Sequence, residues 1–127
     1  EGLAASELWS NPDIAPQYNT PVLRDGFLFG LSDRGNLFCV DARTGKTAWI
    51  DETSRDRGGF GATVDVGSCL LVLPSSSELI VFKPSEKAYA EVAKVKVSDT
   101  PIYAHPVMAG NRIIVKDQET VAMLTIN

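Results

Sequence analysis

The chain repeats, and the repeat limits what it can fold into. Three stretches each read as an apolar strand, a glycine-containing turn, a second apolar strand, a polar turn and a third apolar strand; they span residues 20–41, 62–82 and 105–124. The turn glycines Gly26, Gly67 and Gly110 lie 41 and 43 residues apart, and polar turns at 32–36, 74–78 and 116–120 follow them in register. Glycine there frees the backbone for the positive φ of a tight hairpin. No stretch keeps a helical period; the apolar runs are short and punctuated by turns. Behind the first stretch, a turn at 42–45 leads to a fourth strand at 46–50. Behind the second, a turn at 83–87 leads to the Val-rich residues 88–97. The third is followed only by Thr125, Ile126 and Asn127, while residues 6–10 read as a fourth strand without the three that precede it.

A four-stranded unit recurring about every 40 residues is the pattern of a β-propeller blade. The expected fold is therefore all-β, built of four-stranded antiparallel blades in an incomplete ring of about three. The blades are expected at residues 18–52, 61–98 and 103–126, the last without its fourth strand, with 6–10 as the outer strand of a preceding or shared blade. Two ways of satisfying the open ends follow. The chain is a piece of a longer propeller, or two copies exchange their Trp9 strands.

Punctuation separates the propeller families. The chain has no Gly-His and Trp-Asp pairs, and its one Gly-Gly pair, Gly58-Gly59, falls between units. The run from Cys39 to Trp49 resembles the tryptophan-docking motif of pyrroloquinoline-quinone-like propeller repeats, Ala-x-Asp-x-x-Thr-Gly-x-x-x-Trp. Asp41, Thr44, Gly45 and Trp49 match at their spacing, and Cys39 replaces the small Ala. The second unit departs, with Lys83 for the Asp, Lys87 for the Gly and Glu91 where the Trp would fall. The motif also reads without the family name. Asp41 and Thr44 can accept hydrogen bonds from turn N–H groups, and Gly45 supplies a positive φ. Trp49 is expected to be buried against a neighbouring blade with its indole N–H donating, and Trp9 to act likewise.

Composition narrows the function classes. At 44% hydrophobic and 22% charged residues the chain is ordinary globular material. A net charge of −4 lacks the basic field that holds nucleic acid or an anionic membrane. The longest apolar run, residues 69–73, cannot span a bilayer. Two cysteines make neither a disulfide framework nor a metal cluster. Cys39 and Cys69 read either as small apolar residues or as a bridge between neighbouring blades in an oxidising compartment. The one histidine, His105, precedes Pro106 at a strand start and reads as a channel-lining or loop residue.

In a propeller, function sits on the connections between blades. The loop at 51–61 is the richest, with Arg55, Arg57 and Phe60 among acids and glycines. It reads either as a solvated loop or as a recognition loop, Phe60 and Arg57 being of types enriched at interfaces. Tyr18 and Tyr103 occupy corresponding positions in two other connections. The candidate recognition surface is thus Tyr18, Arg55, Arg57, Phe60, Tyr103 and His105, fit for a peptide, a glycan or a flat ligand.

Two functions compete. One is a non-catalytic binding or scaffold module that recognises a protein, peptide or polymer, with no catalytic residue and no cofactor. The other is a fragment of a quinone-dependent alcohol or sugar dehydrogenase. The resemblance implies that such dehydrogenases carry adjacent cysteines over the quinone and a Ca²⁺ ligand set; here the cysteines are separate. The resemblance also implies a periplasmic or secreted setting. The binding module is the favoured reading.

Overall fold

Hairpin chemistry sets the first sheet. Asp25 and Gly26 both take positive φ, 50° and 81°, in the computed structural model, which describes residues 2–56 and 58–127. Two such residues in succession make the turn whose twist matches that of the flanking strands. They join β1 (Val22–Arg24) to β2 (Phe27–Leu31), with Arg24 opposite Phe27. β3 (Leu37–Asp41) and β4 (Thr47–Ile50) complete a four-stranded antiparallel sheet in sequence order. β5 (Gly61–Asp65), β6 (Leu70–Pro74), β7 (Glu78–Phe82) and β8 (Glu91–Lys96) repeat that order in the second sheet. β9 (Val107–Ala109), β10 (Arg112–Lys116) and β11 (Val121–Thr125) make a third sheet of three strands. There is no helix among the described residues, and so none long and apolar enough to cross a membrane.

Strand alternation then stacks the sheets face to face. Successive side chains point to opposite faces. Phe29, Leu31, Leu37 and Cys39 leave the first sheet on one side and meet Leu70, Val72, Ile80 and Phe82 of the second. Leu71, Leu73 and Leu79 leave the second sheet on its other side and meet Ile113 and Val115 of the third. The second sheet is thus covered on both faces, and all five residues of β6 are buried. Each fully buried Leu or Phe contributes about 1.5–3 kcal/mol of transfer free energy. A smaller cluster of Ile14, Phe38 and Val40, with Trp9 and Leu28 against it, lies on the outward face of the first sheet.

Two expectations need correction. Residues 6–10 form no strand, because no neighbouring chain segment offers them a ladder; the segment is held instead through Trp9. Trp49 packs between the first and second sheets as expected but is only half-buried. The fourth strand of the second sheet, which the sequence marked only as Val-rich, is exposed at every position.

Candidate functional site

The two tryptophans act alike. Trp49, on the fourth strand of the first sheet, donates its Nε1–H to the Ser85 carbonyl in the β7–β8 turn, 2.7 Å away. Trp9 donates to the Ala42 carbonyl in the β3–β4 turn at 2.9 Å. That turn is built by the residues singled out from sequence. The Asp41 carboxylate accepts from the N–H groups of Arg43 and Thr44, at 2.8 and 3.1 Å, and Thr44 Oγ1 accepts from Lys46. The Arg43 N–H above all holds the Asp41 carboxyl below its usual range. Gly45 has a φ of 74°, and a Cβ there would lie 2.5 Å from the Trp9 ring. These contacts join one unit to the next.

The rim aromatics are a different group. Tyr18, Phe60 and Tyr103 each stand four residues before the aligned valines Val22, Val64 and Val107, so the repeat carries them to equivalent places. The fold brings them into contact. Tyr18 stacks on Phe60 with centroids 4.4 Å apart and planes 4° from parallel. Tyr103 meets Phe60 edge-on at 5.2 Å. Tyr18 and Tyr103 nonetheless remain 59% and 60% exposed.

Each ring is fixed through a neighbour. Asn19 Nδ2 donates to the carbonyls of Leu31 and Gly59, which ties down Tyr18. The Asp56 carboxylate accepts from the Phe60 N–H at 3.0 Å, the Gly58 N–H at 3.1 Å and the Ser75 hydroxyl at 2.6 Å, which closes the loop under Phe60. Ile102 is buried and donates its N–H to the Ser75 carbonyl, anchoring the chain before Tyr103. An open hollow of about 210 Å³ adjoins the cluster, lined by Tyr18, Asn19, Thr63, Tyr103 and His105 among others. Among the described residues, no Lys, Arg, Asp or Glu lines it. Thr63 Oγ1 is buried there without a hydrogen-bond partner. The described lining is thus aromatic and polar.

Arg55 lies apart from this group. Its guanidinium is 2.5 Å from Asp51 and 4.9 Å from the Tyr89 ring centroid, in a separate cleft of about 410 Å³. Tyr89 donates to Glu91 at 2.6 Å, and burial above all pushes its hydroxyl up to about 12. The Asp51 carboxylate and the Tyr89 face together hold Arg55 away from the rim. Arg57 lies outside the described residues. Cys39 and Cys69 are both free; Cys39 is buried, and burial pushes its thiol up to about 12, so it stays protonated and inert at neutral pH. Cys69 is half-buried. No group of three His, Cys, Asp or Glu side chains placed to hold a metal occurs among the described residues.

The sequence named the three aromatics and His105, which the fold brings together, but not Asn19, Asp56, Thr63 and Ile102. Asp56 carried a signal, since Asp two residues before Gly58 is the pattern of a side chain closing its own turn. Thr63 carried none, because its equivalents in the other units are Pro21 and Pro106.

Solved structures share this arrangement of sheets. Over 84% of its length the chain matches BamB from Moraxella catarrhalis, with a TM-score of 0.67 and 14% identity, covering 32% of that protein. It matches the quinohemoprotein alcohol dehydrogenase ADHIIG from Pseudomonas putida HK5 with a TM-score of 0.63 and 15% identity, over 78% of this chain and 16% of that one. The fold is that of β-propeller blades. The computationally designed Ika4 protein matches at a TM-score of 0.60 and 8% identity, over 98% of this chain and 100% of the other. Neither a family model nor a curated protein sequence matches the chain. At these identities the likeness is one of fold, and the chain spans about a third of BamB and a sixth of the dehydrogenase.

Proposed function

We propose that the chain is a non-catalytic β-propeller binding module that holds a protein or polymer segment against Tyr18, Phe60 and Tyr103. The observation that carries this reading is the convergence of three aromatics from repeat-equivalent positions, two of them with more than half their surface in water. An exposed aromatic gains free energy when a partner covers it, and Tyr is among the residues that dominate interface energetics. His105, exposed beside the rings, supplies a hydrogen-bonding group that would orient a segment. An aromatic groove suits an extended chain that stacks rings or proline faces. A periplasmic or secreted setting fits the family resemblance.

Selection of a displayed random-peptide library on the purified chain tests the reading. Enriched peptides are expected to bind in the micromolar range and to weaken about tenfold or more on Tyr18→Ala or Tyr103→Ala, the size of a contact near the centre of an interface. Both rings are exposed, so the fold, followed by circular dichroism, stays intact. Peptides that bind both variants as well as the parent overturn the site, and failure to enrich any peptide overturns the module. The alternative, a piece of a quinone-dependent dehydrogenase, predicts saturable binding of pyrroloquinoline quinone with Ca²⁺ in calorimetry, which the binding module does not.

A further inference from the structure

The turn between β6 and β7 reads in the sequence as a plain polar turn, Pro74-Ser75-Ser76-Ser77-Glu78. The fold buries two of its three serines. Ser75 is 9% and Ser77 1% exposed, while Ser76 between them faces solvent. A buried hydroxyl needs a partner, and each of the two donates to a connection outside its own sheet.

The two donors grip different connections. The Ser75 hydroxyl donates to Asp56 Oδ2 at 2.6 Å, the same oxygen that accepts the Phe60 N–H at 3.0 Å. The Ser75 N–H donates to the Phe60 carbonyl at 3.0 Å. One serine thus holds Phe60 on both sides of its Cα, at the carbonyl directly and at the N–H through Asp56. The Ser75 carbonyl accepts the Ile102 N–H at 3.2 Å, and the Ser77 hydroxyl donates to the Thr100 carbonyl. The turn therefore ties the β4–β5 connection, which carries Phe60, to the β8–β9 connection, which carries Tyr103.

We infer, on the binding reading given above, that Ser75 and Ser77 are positioning residues of the rim: they set the edge-on contact of Tyr103 with Phe60, and with it the shape of the recognition face. Both are buried and act through the backbone of a connection rather than on a bound segment. A face whose rings are already fixed loses less conformational freedom when a partner settles on it, and the difference appears as affinity. The Tyr18–Phe60 stack is held separately, by Asn19 Nδ2 on the Gly59 carbonyl. Removal of either serine hydroxyl therefore loosens one ring contact and spares the other.

Aromatic NMR of the full chain is the test, since nuclear Overhauser effects between ring protons report the contacts without any bound peptide. Ser75→Ala and Ser77→Ala are each expected to weaken the Phe60–Tyr103 cross-peaks severalfold, while the Tyr18–Phe60 cross-peaks and the circular dichroism stay as in the parent. Ser76→Ala, at the exposed serine, is expected to change none of them. Peptides enriched on the parent chain should bind the Ser75 and Ser77 variants about fivefold more weakly, the size of the freedom regained by a loosened side chain. Unchanged Phe60–Tyr103 cross-peaks in both variants overturn the inference. So do equal losses at both ring contacts, which mark a merely structural role, or peptide affinities that stay at the parent value. Peptides that bind independently of Tyr18 and Tyr103 overturn the binding reading instead, and the ring measurement still decides what the serines do.

Discussion

Gly45 sits directly beneath an aromatic ring, and much of the inter-sheet linkage rests on contacts of this size. Its positive φ and the 2.5 Å approach of Trp9 both exclude a side chain. Gly45→Ala therefore strains the turn and displaces Trp9 together. Trp49→Ala is expected to cost about 3 kcal/mol, the low end for aromatic truncation because the ring is half-buried. Trp49→Phe keeps most of the packing and loses the bond to Ser85, so about 1 kcal/mol should go. Urea midpoints of the three variants check this; a Trp49→Ala chain as stable as the parent would show that the ring carries nothing. The turn was legible in the sequence because Asp41, Thr44 and Gly45 do their chemistry on adjacent backbone. Arg55 was not, because Tyr89, which holds it, lies 34 residues further along the chain.

Among the elements, β6 and β8 are opposites. Five residues of β6 are buried and serve two cores, whereas six residues of β8 are exposed and serve none. Amide exchange should be slowest in β6 and fast in β8, since local opening follows buried contact. Leu71→Ala, which empties a site between the second and third sheets, should cost about 2–5 kcal/mol, while Val95→Ala should cost little. Equal protection across β6 and β8, read by mass spectrometry, would contradict the layered stack. The repeat made the strands legible, because apolar runs and turn glycines are local signals. Residues 6–10 form no strand within the chain, because pairing depends on a neighbour that no local pattern reports.

Across the whole molecule, one aspartate in each sheet closes a turn with its own backbone. The Gly67 N–H and then Arg24 lower the Asp65 carboxyl, and the Ser98 hydroxyl, with the N–H groups of Thr120 and Glu119, lowers Asp117 well below the usual range. Asp41 is lowered in the same sense. A carboxyl lowered by folding adds stability that is full above its unfolded pKa and is lost as pH falls through its folded value. Stability should therefore hold from neutral pH down to about 4 and decline below it. Asp117→Asn should flatten part of that decline in urea midpoints followed against pH; a parent chain that gains stability on acidification would refute the assignment. The site divides in the same way as the fold. Tyr18, Phe60 and Tyr103 could be found by counting from each repeat, but Asn19, Asp56 and Ile102 depend on contacts between connections that only the folded chain brings together.

The aromatics are counted from the strand that follows them, not from the one before. The connection from β4 to β5 and that from β8 to β9 differ in sequence and in internal bonding, yet each delivers its ring at the same offset from the aligned valine. Length and composition upstream of the ring are thus uncoupled from where the ring arrives. Such a rim can acquire insertions, new charges or whole new loops while its recognition face stays in place. A lineage built this way could change what surrounds a bound partner much faster than the surface on which the partner rests.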